Sequence, residues 1–168
     1  MKTRKGFKTY PLTVAQKFHF YYLEYCPKKE VVNIGTSLTI EYELDVEVLK
    51  QSIHKAYERN EFMRMRLAFD KKENEWYQYI VPTDDREIEY VDFTGKSDEE
   101  AEEIMKSWTQ VPFVREDSPL NVVKIIKTPD GNQGLYLLGD HFALDAQSLI
   151  LFLSVFIVLV KALFVKEN

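Results

Sequence analysis

Hydrophobic and polar residues alternate most regularly over residues 32–44. Val32, Ile34, Leu38, Ile40, Tyr42 and Leu44 are apolar, with Asn33, Ser37, Thr39, Glu41 and Glu43 between them. A period of two sends successive side chains to opposite faces, so this segment predicts a strand with one buried and one wet face. The period then lengthens. Leu49, Ile53, Ala56 and Tyr57 recur at helical spacing behind Asp45, a residue suited to an N-cap. Upstream, residues 13–25 predict a short aromatic helix that begins at Thr13. Residues 62–69 and 76–81 read as a hairpin around residues 70–74, and Ile88 and Tyr90 alternate in one more short strand. Ser97 and Glu100 have capping-box spacing ahead of Ala101, Ile104, Met105 and Trp108, an amphipathic stripe. Residues 121–127 and 134–140 flank Pro129-Asp130-Gly131, where proline presets one dihedral and glycine takes the positive one. The resulting order, α β α β β β α β β α, predicts an α+β fold with a mixed or antiparallel sheet and helices packed on it.

The last predicted helix, residues 147–164, breaks the amphipathic rule. Leu149 to Val160 is apolar except for Ser154. A helix apolar all round needs cover on more than one side, which points to the sheet on one side and another chain or lobe on the other. Leu149, Phe152, Phe156 and Val160 mark one face, and Leu151, Val155 and Val158 another. Lys161 interrupts the run, which is short for a membrane span of roughly 20 residues.

Composition narrows the class. At 168 residues, 45% hydrophobic and 29% charged, the chain reads as one soluble globular domain, residues 1–168. Its net charge of −5 lacks the basic footprint of a nucleic-acid binder. The single cysteine, Cys26, excludes an intrachain disulfide and cysteine-based metal clusters, which fits a reducing, cytoplasmic setting. Lys2, Arg4 and Lys5 are followed by Thr9-Tyr10-Pro11 rather than an apolar segment, so no signal peptide is read.

Candidate chemistry concentrates at Asp140-His141-Phe142-Ala143-Leu144-Asp145-Ala146, between a predicted strand and the last helix. A neutral imidazole serves as a general base near pH 7 because its reference pKa, about 6.5, lies close by. Asp145 would fix the loop by pairing with a cation. Asp140 reads as a surface loop acid and Ser148 as a cap of the last helix. His19, among aromatics, reads as core or interface, and His54, off its helix stripe, as solvated. Phe18, Phe20, Tyr21 and Tyr22 read as core, and Glu99, Glu100, Glu102 and Glu103 as one solvated helix face. Three scattered histidines without matching acidic or cysteine spacing give no metal site.

Four segments then fall in a shared order. Leu12-Thr13-Val14-Ala15-Gln16 resembles the first motif of the condensation domains of non-ribosomal peptide synthetases. Arg59-Asn60-Glu61-Phe62-Met63-Arg64 resembles their R-H-E-x-L-R, with Asn60 for His and Met63 for Leu. Pro112-Phe113 with Ser118-Pro119-Leu120 resembles P-F-x-x-x-x-G-P-L. Asp140 to Ser148 resembles H-H-x-x-x-D-G-x-S, with Asp140 in place of the first His and Ala146 in place of Gly. The resemblance runs from residue 10 to about 165 and covers only the N-terminal lobe of a family whose complete domains have two.

The resemblance implies a chloramphenicol-acetyltransferase-like two-layer sandwich, present as a single lobe. It implies acyl transfer from a thioester to an amine or hydroxyl, with the acyl group on phosphopantetheine, either on an acyl or peptidyl carrier protein or in coenzyme A, and no tightly bound cofactor. By the same resemblance His141 would carry the catalytic role, Asp145 and Arg64 would form a structural ion pair beneath it, and Asp140 and Ser148 would be neighbours of the site. A carboxylate at position 140 would favour a protonated imidazole, and Ala146 would restrict a loop in which glycine allows a positive dihedral. A homo-oligomer or a partner lobe would enclose the substrate path. Three functions stay open: an acyltransferase completed by a partner, a non-catalytic module that binds a carrier protein or another chain, and a truncated fragment.

Overall fold

The computed structural model describes residues 3–41 and 43–167. The side chains of Thr3 and of residues 163–167 lie outside that description, as do Met1, Lys2, Tyr42 and Asn168. The expected alternation at Tyr42 and the basic Lys2 therefore fall outside the described residues.

The chain opens with a hairpin that the sequence pattern does not indicate. Strand β1 (Thr3–Arg4) pairs antiparallel with β2 (Phe7–Pro11) across Lys5 and Gly6, at φ 48° and 84°. Two successive positive dihedrals make the tight turn whose twist matches antiparallel strands. Helix α1 (Val14–Tyr25) follows, then β3 (Asn33–Ile40) and α2 (Val46–Arg59). The hairpin of β4 (Met65–Asp70) and β5 (Glu75–Ile80) leads to β6 (Glu89–Asp92) and α3 (Asp98–Thr109). Strands β7 (Asn121–Lys127) and β8 (Gln133–Asp140) and helix α4 (Ala146–Glu167) complete the fold. From α1 onward the element order is the predicted one.

The strands form two four-stranded sheets among the described residues, ordered β1-β2-β5-β4 and β3-β8-β7-β6. All strand pairings are antiparallel except β6 with β7, which is parallel, so the β3-β8-β7-β6 sheet is mixed. An isolated parallel bridge ties Leu67 on β4 to Glu116 in the segment before β7. Every residue of β8 is buried because both faces of the sheet are covered. Leu135 and Leu137 face the α2 and α4 side, with Leu49, Ile53, Ala56, Tyr57, Phe152 and Phe156. Tyr136 and Leu138 face α3, with Ala101, Ile104 and Trp108. The caps act as their sequences suggest. Asp45 accepts from the N–H groups of Glu47 and Val48, and Ser97 and Glu100 close a capping box. Strand β3 stops at Ile40, and the backbone of Leu44 is held by both ends of the Gln133 carboxamide, at 2.6 and 2.8 Å.

Helix α4 divides its apolar residues. Leu149, Phe152, Phe156, Leu159 and Val160 are buried, whereas Ile150 and Leu151 are 65% and 51% exposed, and Ile157 and Val158 are 40% and 60% exposed. Val155 belongs with the buried side, packed against the α2 core. No helix among the described residues is long and apolar enough to cross a membrane.

Candidate functional site

The site is assembled where β8 ends. Asp140 is the last residue of the strand and pairs with Asn33 on β3. The chain then turns through His141 to Asp145 and enters α4. Gly139 permits this turn, because a Cβ there would lie 1.9 Å from Leu144 Cδ1. The loop backbone is tied on every side. Asp140 N–H donates to Leu120 O at 2.8 Å and His141 N–H to Val32 O at 2.9 Å. Ala143 and Leu144 N–H both return to Asp140 O, at 2.9 and 3.2 Å. Gln16 reaches across from α1. Its carboxamide oxygen caps Thr13 N–H at 2.8 Å, and its NH2 donates to Phe142 O and to Gln78 Oε1, both at 3.0 Å. The first motif thus starts α1 and pins the histidine loop with one side chain.

Asp140 is not the surface acid expected from the sequence. Its side chain is fully buried, receives Arg115 Nε at 2.8 Å, and accepts Phe142 N–H at 3.0 Å. Burial pushes its carboxyl above the ordinary range, against the Arg115 guanidinium and the Phe142 N–H, which favour the ionised form. Arg115 also donates to Lys29 O at 3.3 Å and lies 5.1 Å from the Phe142 ring centre. The carboxylate that replaces the family's first histidine therefore has its own counter-ion. Arg115 is not among the candidates the sequence singles out. The signal for it is its place between Pro112-Phe113 and Ser118-Pro119-Leu120, where it is the only arginine or lysine.

The expected pair of Arg64 and Asp145 does not form. Arg64 is buried, but its guanidinium donates to backbone carbonyls: Tyr57 O at 2.9 Å, Glu58 O and Pro82 O at 3.1 Å, and Val81 O. Asp145 is exposed at the start of α4, where its Oδ1 accepts Ser148 N–H at 2.8 Å and Ser148 Oγ–H at 2.7 Å. Those two donors, led by the hydroxyl, hold its carboxyl below the ordinary range. The cap of α4 is Asp145, and Ser148 is its partner rather than the cap. The physical reason for the difference is that both demands are met locally. Two carbonyls at the end of α2 and two just after β5 satisfy the guanidinium, and an exposed N-cap needs no cation. Ala146 is the first residue of α4 and not a position of positive φ, so the loss of glycine costs the loop nothing there.

Other expectations also shift. Phe18 and Tyr21 are 66% and 65% exposed, and Tyr22 and Tyr25 are 48% and 86% exposed, so most of the α1 aromatics are surface rather than core. Phe20 turns inward, stacking on Trp76 at 5.0 Å and meeting Phe142 at 4.3 Å. His54 is half-buried, with Nδ1 3.4 Å from Asp84 O, rather than solvated. The second motif is a scaffold: Asn60 Nδ2 donates to Ala56 O at 2.7 Å to close α2, and Met63 is fully buried. Glu99, Glu100, Glu102 and Glu103 are exposed, as expected. His141 itself is half-buried at the head of the loop. Among the described residues no group of three or more His, Cys, Asp or Glu side chains could hold a metal ion.

This arrangement of two sheets, flanking helices and a histidine at the end of the central strand is the chloramphenicol-acetyltransferase-like sandwich, present here as a single lobe. The family model of the condensation domain matches residues 7–167, and the chain belongs to that family. Over 135 residues it is 29% identical to a linear gramicidin synthase chain from Brevibacillus parabrevis, an alignment covering 78% of this chain and 3% of that protein. The starter condensation domain of the rhizomide synthetase superposes with a TM-score of 0.81 at 21% identity, covering 93% of this chain and 38% of that one. The first condensation domain of the CDA synthetase gives 0.82 at 21% identity, covering 93% and 41%. A variant of the rhizomide domain solved in complex with C8-CoA gives 0.79 at 20% identity, covering 89% and 34%. The chain thus spans well under half of each relative.

Proposed function

We propose that this chain is the N-terminal lobe of an acyl-transferring condensation domain, with His141 as the proton-transferring residue. The acyl group would arrive as a thioester on phosphopantetheine, carried by an acyl or peptidyl carrier protein or by coenzyme A. The acceptor nitrogen or oxygen attacks the thioester carbonyl, the C–S bond breaks, and the acceptor's proton passes through His141 to the departing thiolate. The observation that carries this reading is the placement of His141. It is half-buried at the end of β8, on a loop fixed by Gln16, Val32, Leu120 and the Arg115–Asp140 pair. A base works only when it is held in register with its substrate. A cytoplasmic location belongs to the same reading, in keeping with the lone, half-buried Cys26.

The uncovered apolar residues of α1 and α4 support completion of the substrate path by a second lobe or a second copy. They equally support a second reading, a non-catalytic module that binds a carrier protein or another chain, which the replacement of an imidazole by Asp140 favours. The discriminating experiment is acyl transfer from acyl-coenzyme A and acyl-carrier donors to amine and alcohol acceptors, with the oligomeric state measured alongside. His141→Ala is expected to lower turnover at least about a hundredfold, at the low end for general acid–base catalysis, with an unchanged melting temperature. Turnover that survives the substitution removes His141 from the role. A wild-type protein that binds carrier protein and transfers nothing selects the binding module.

A further inference from the structure

We propose that His19, on α1, is a positioning residue for His141, its ring packing at a tilt against the His141 imidazole and fixing the direction in which that base presents its nitrogens. The catalytic meaning of this inference rests on the acyl-transfer reading above. The need for such a residue is visible in the site. The backbone of the loop is tied throughout, but the imidazole of His141 makes no hydrogen bond to another described residue. A catalytic base is ordinarily oriented by a hydrogen bond from a third group. Here the contact is a ring. The two imidazole centres lie 4.8 Å apart with the planes tilted by 30°.

His19 is itself wedged. Phe142 lies 5.6 Å from it at 59°, and Phe18 lies 6.4 Å away at 67°. Phe142 continues to Phe20 at 4.3 Å, and Phe20 to Trp76 at 5.0 Å. His141 is thus the outer member of a series of rings rooted in the core between α1 and the β4–β5 hairpin. Each ring has few rotamers and a preferred tilt against its neighbour, so the series transmits a fixed orientation. A ring contact also leaves both nitrogens of His141 to the reacting groups, which a hydrogen-bonding orienter does not.

The charges around the pair are consistent with this role. Burial, then the His141 ring, lowers the pKa of His19, while Asp140 pulls it the other way. Asp140, which acts on His19, is already engaged by Arg115, and Asp145, which interacts with His141, is engaged by Ser148. With its pKa held below the ordinary imidazole value, His19 is mainly neutral at pH 7, and the contact is not opposed by like charge.

The test compares His19→Phe and His19→Ala in the full chain, both checked for folding by melting. The first keeps an aromatic ring of similar size and the second removes it. His19→Ala is expected to lower kcat about tenfold at an unchanged KM, and His19→Phe to stay within about twofold of wild type. A second readout does not need activity. The Cε1–H proton of His141, assigned by its loss in His141→Gln, should show an upfield ring-current shift in wild type and His19→Phe that disappears in His19→Ala. An unchanged resonance in His19→Ala overturns the contact, and a His19→Phe protein as slow as His19→Ala overturns positioning by the ring. Absence of transfer in wild type counts against the acyl-transfer reading alone, because the resonance still decides the contact.

Discussion

Replacing Arg115 by alanine is expected to lower the melting temperature by roughly 6–20 °C at neutral pH. The substitution leaves Asp140 with no cation, and that carboxylate is fully buried. Removing one partner of a buried pair costs about 3–5 kcal/mol, and for a domain of this size each kcal/mol moves the midpoint by roughly 2–4 °C. The pH dependence follows from the same carboxyl. Burial already raises its folded-state pKa above the unfolded value, and loss of Arg115 raises it further. Between those two values the folded protein holds the extra proton, so stability falls as pH rises through the window. The deficit of Arg115→Ala should therefore be largest near neutrality and shrink as the pH drops towards about 4, the ordinary carboxylate range. Adding Asp140→Asn to the variant should recover most of the loss, since an amide oxygen still accepts the Phe142 N–H. A variant that melts like wild type at pH 7 would falsify the role assigned to the pair.

Arg64→Ala and Asp145→Ala should separate widely, although the resemblance pairs the two residues. Arg64→Ala is expected to cost at least about 3 kcal/mol, because the hydrogen bonds of Arg64 to carbonyls on two segments are charge-assisted and several are lost together. Arg64→Lys should not rescue it, since one ammonium cannot reproduce a planar fork that reaches both segments. Asp145→Ala should cost only about 1 kcal/mol, the usual worth of an N-cap, and Asp145→Asn should be nearly silent because asparagine caps as well. Thermal melts of these four variants and of the Arg64→Ala/Asp145→Ala double variant decide it. Equal, large losses from Arg64→Ala and Asp145→Ala, with a strong coupling energy in the double variant, would restore the ion pair.

These contrasts mark where local information ends. Elements with a strong period or a specific cap are legible in the sequence. The α2 stripe of Leu49, Ile53, Ala56 and Tyr57 is fully buried, and the Ser97–Glu100 box starts α3 as expected. The N-terminal hairpin is not legible, because two short strands around Lys5-Gly6 carry no alternating run, and β2 is held in place by its pairing with the distant β5. The α1 aromatics depart from expectation for the opposite reason. Residue type argues for burial, but Phe18, Tyr21 and Tyr25 point away from the core beneath α1.

By itself the sequence determined the class of fold, the order of elements from α1 onward and the family. Those follow from periodicity, capping and motif order, which are properties of neighbours along the chain. Tertiary structure decided the partners. Asp140 lies 25 residues from Arg115, and Gln16 lies 126 from Phe142. Which cation meets which carboxylate, and which ring meets the histidine, is set by where β8, α1 and the segment before β7 converge. A one-dimensional pattern shows that a buried charge needs a partner. Only the packing of separate elements selects it, because several candidates satisfy the chemistry and one satisfies the geometry.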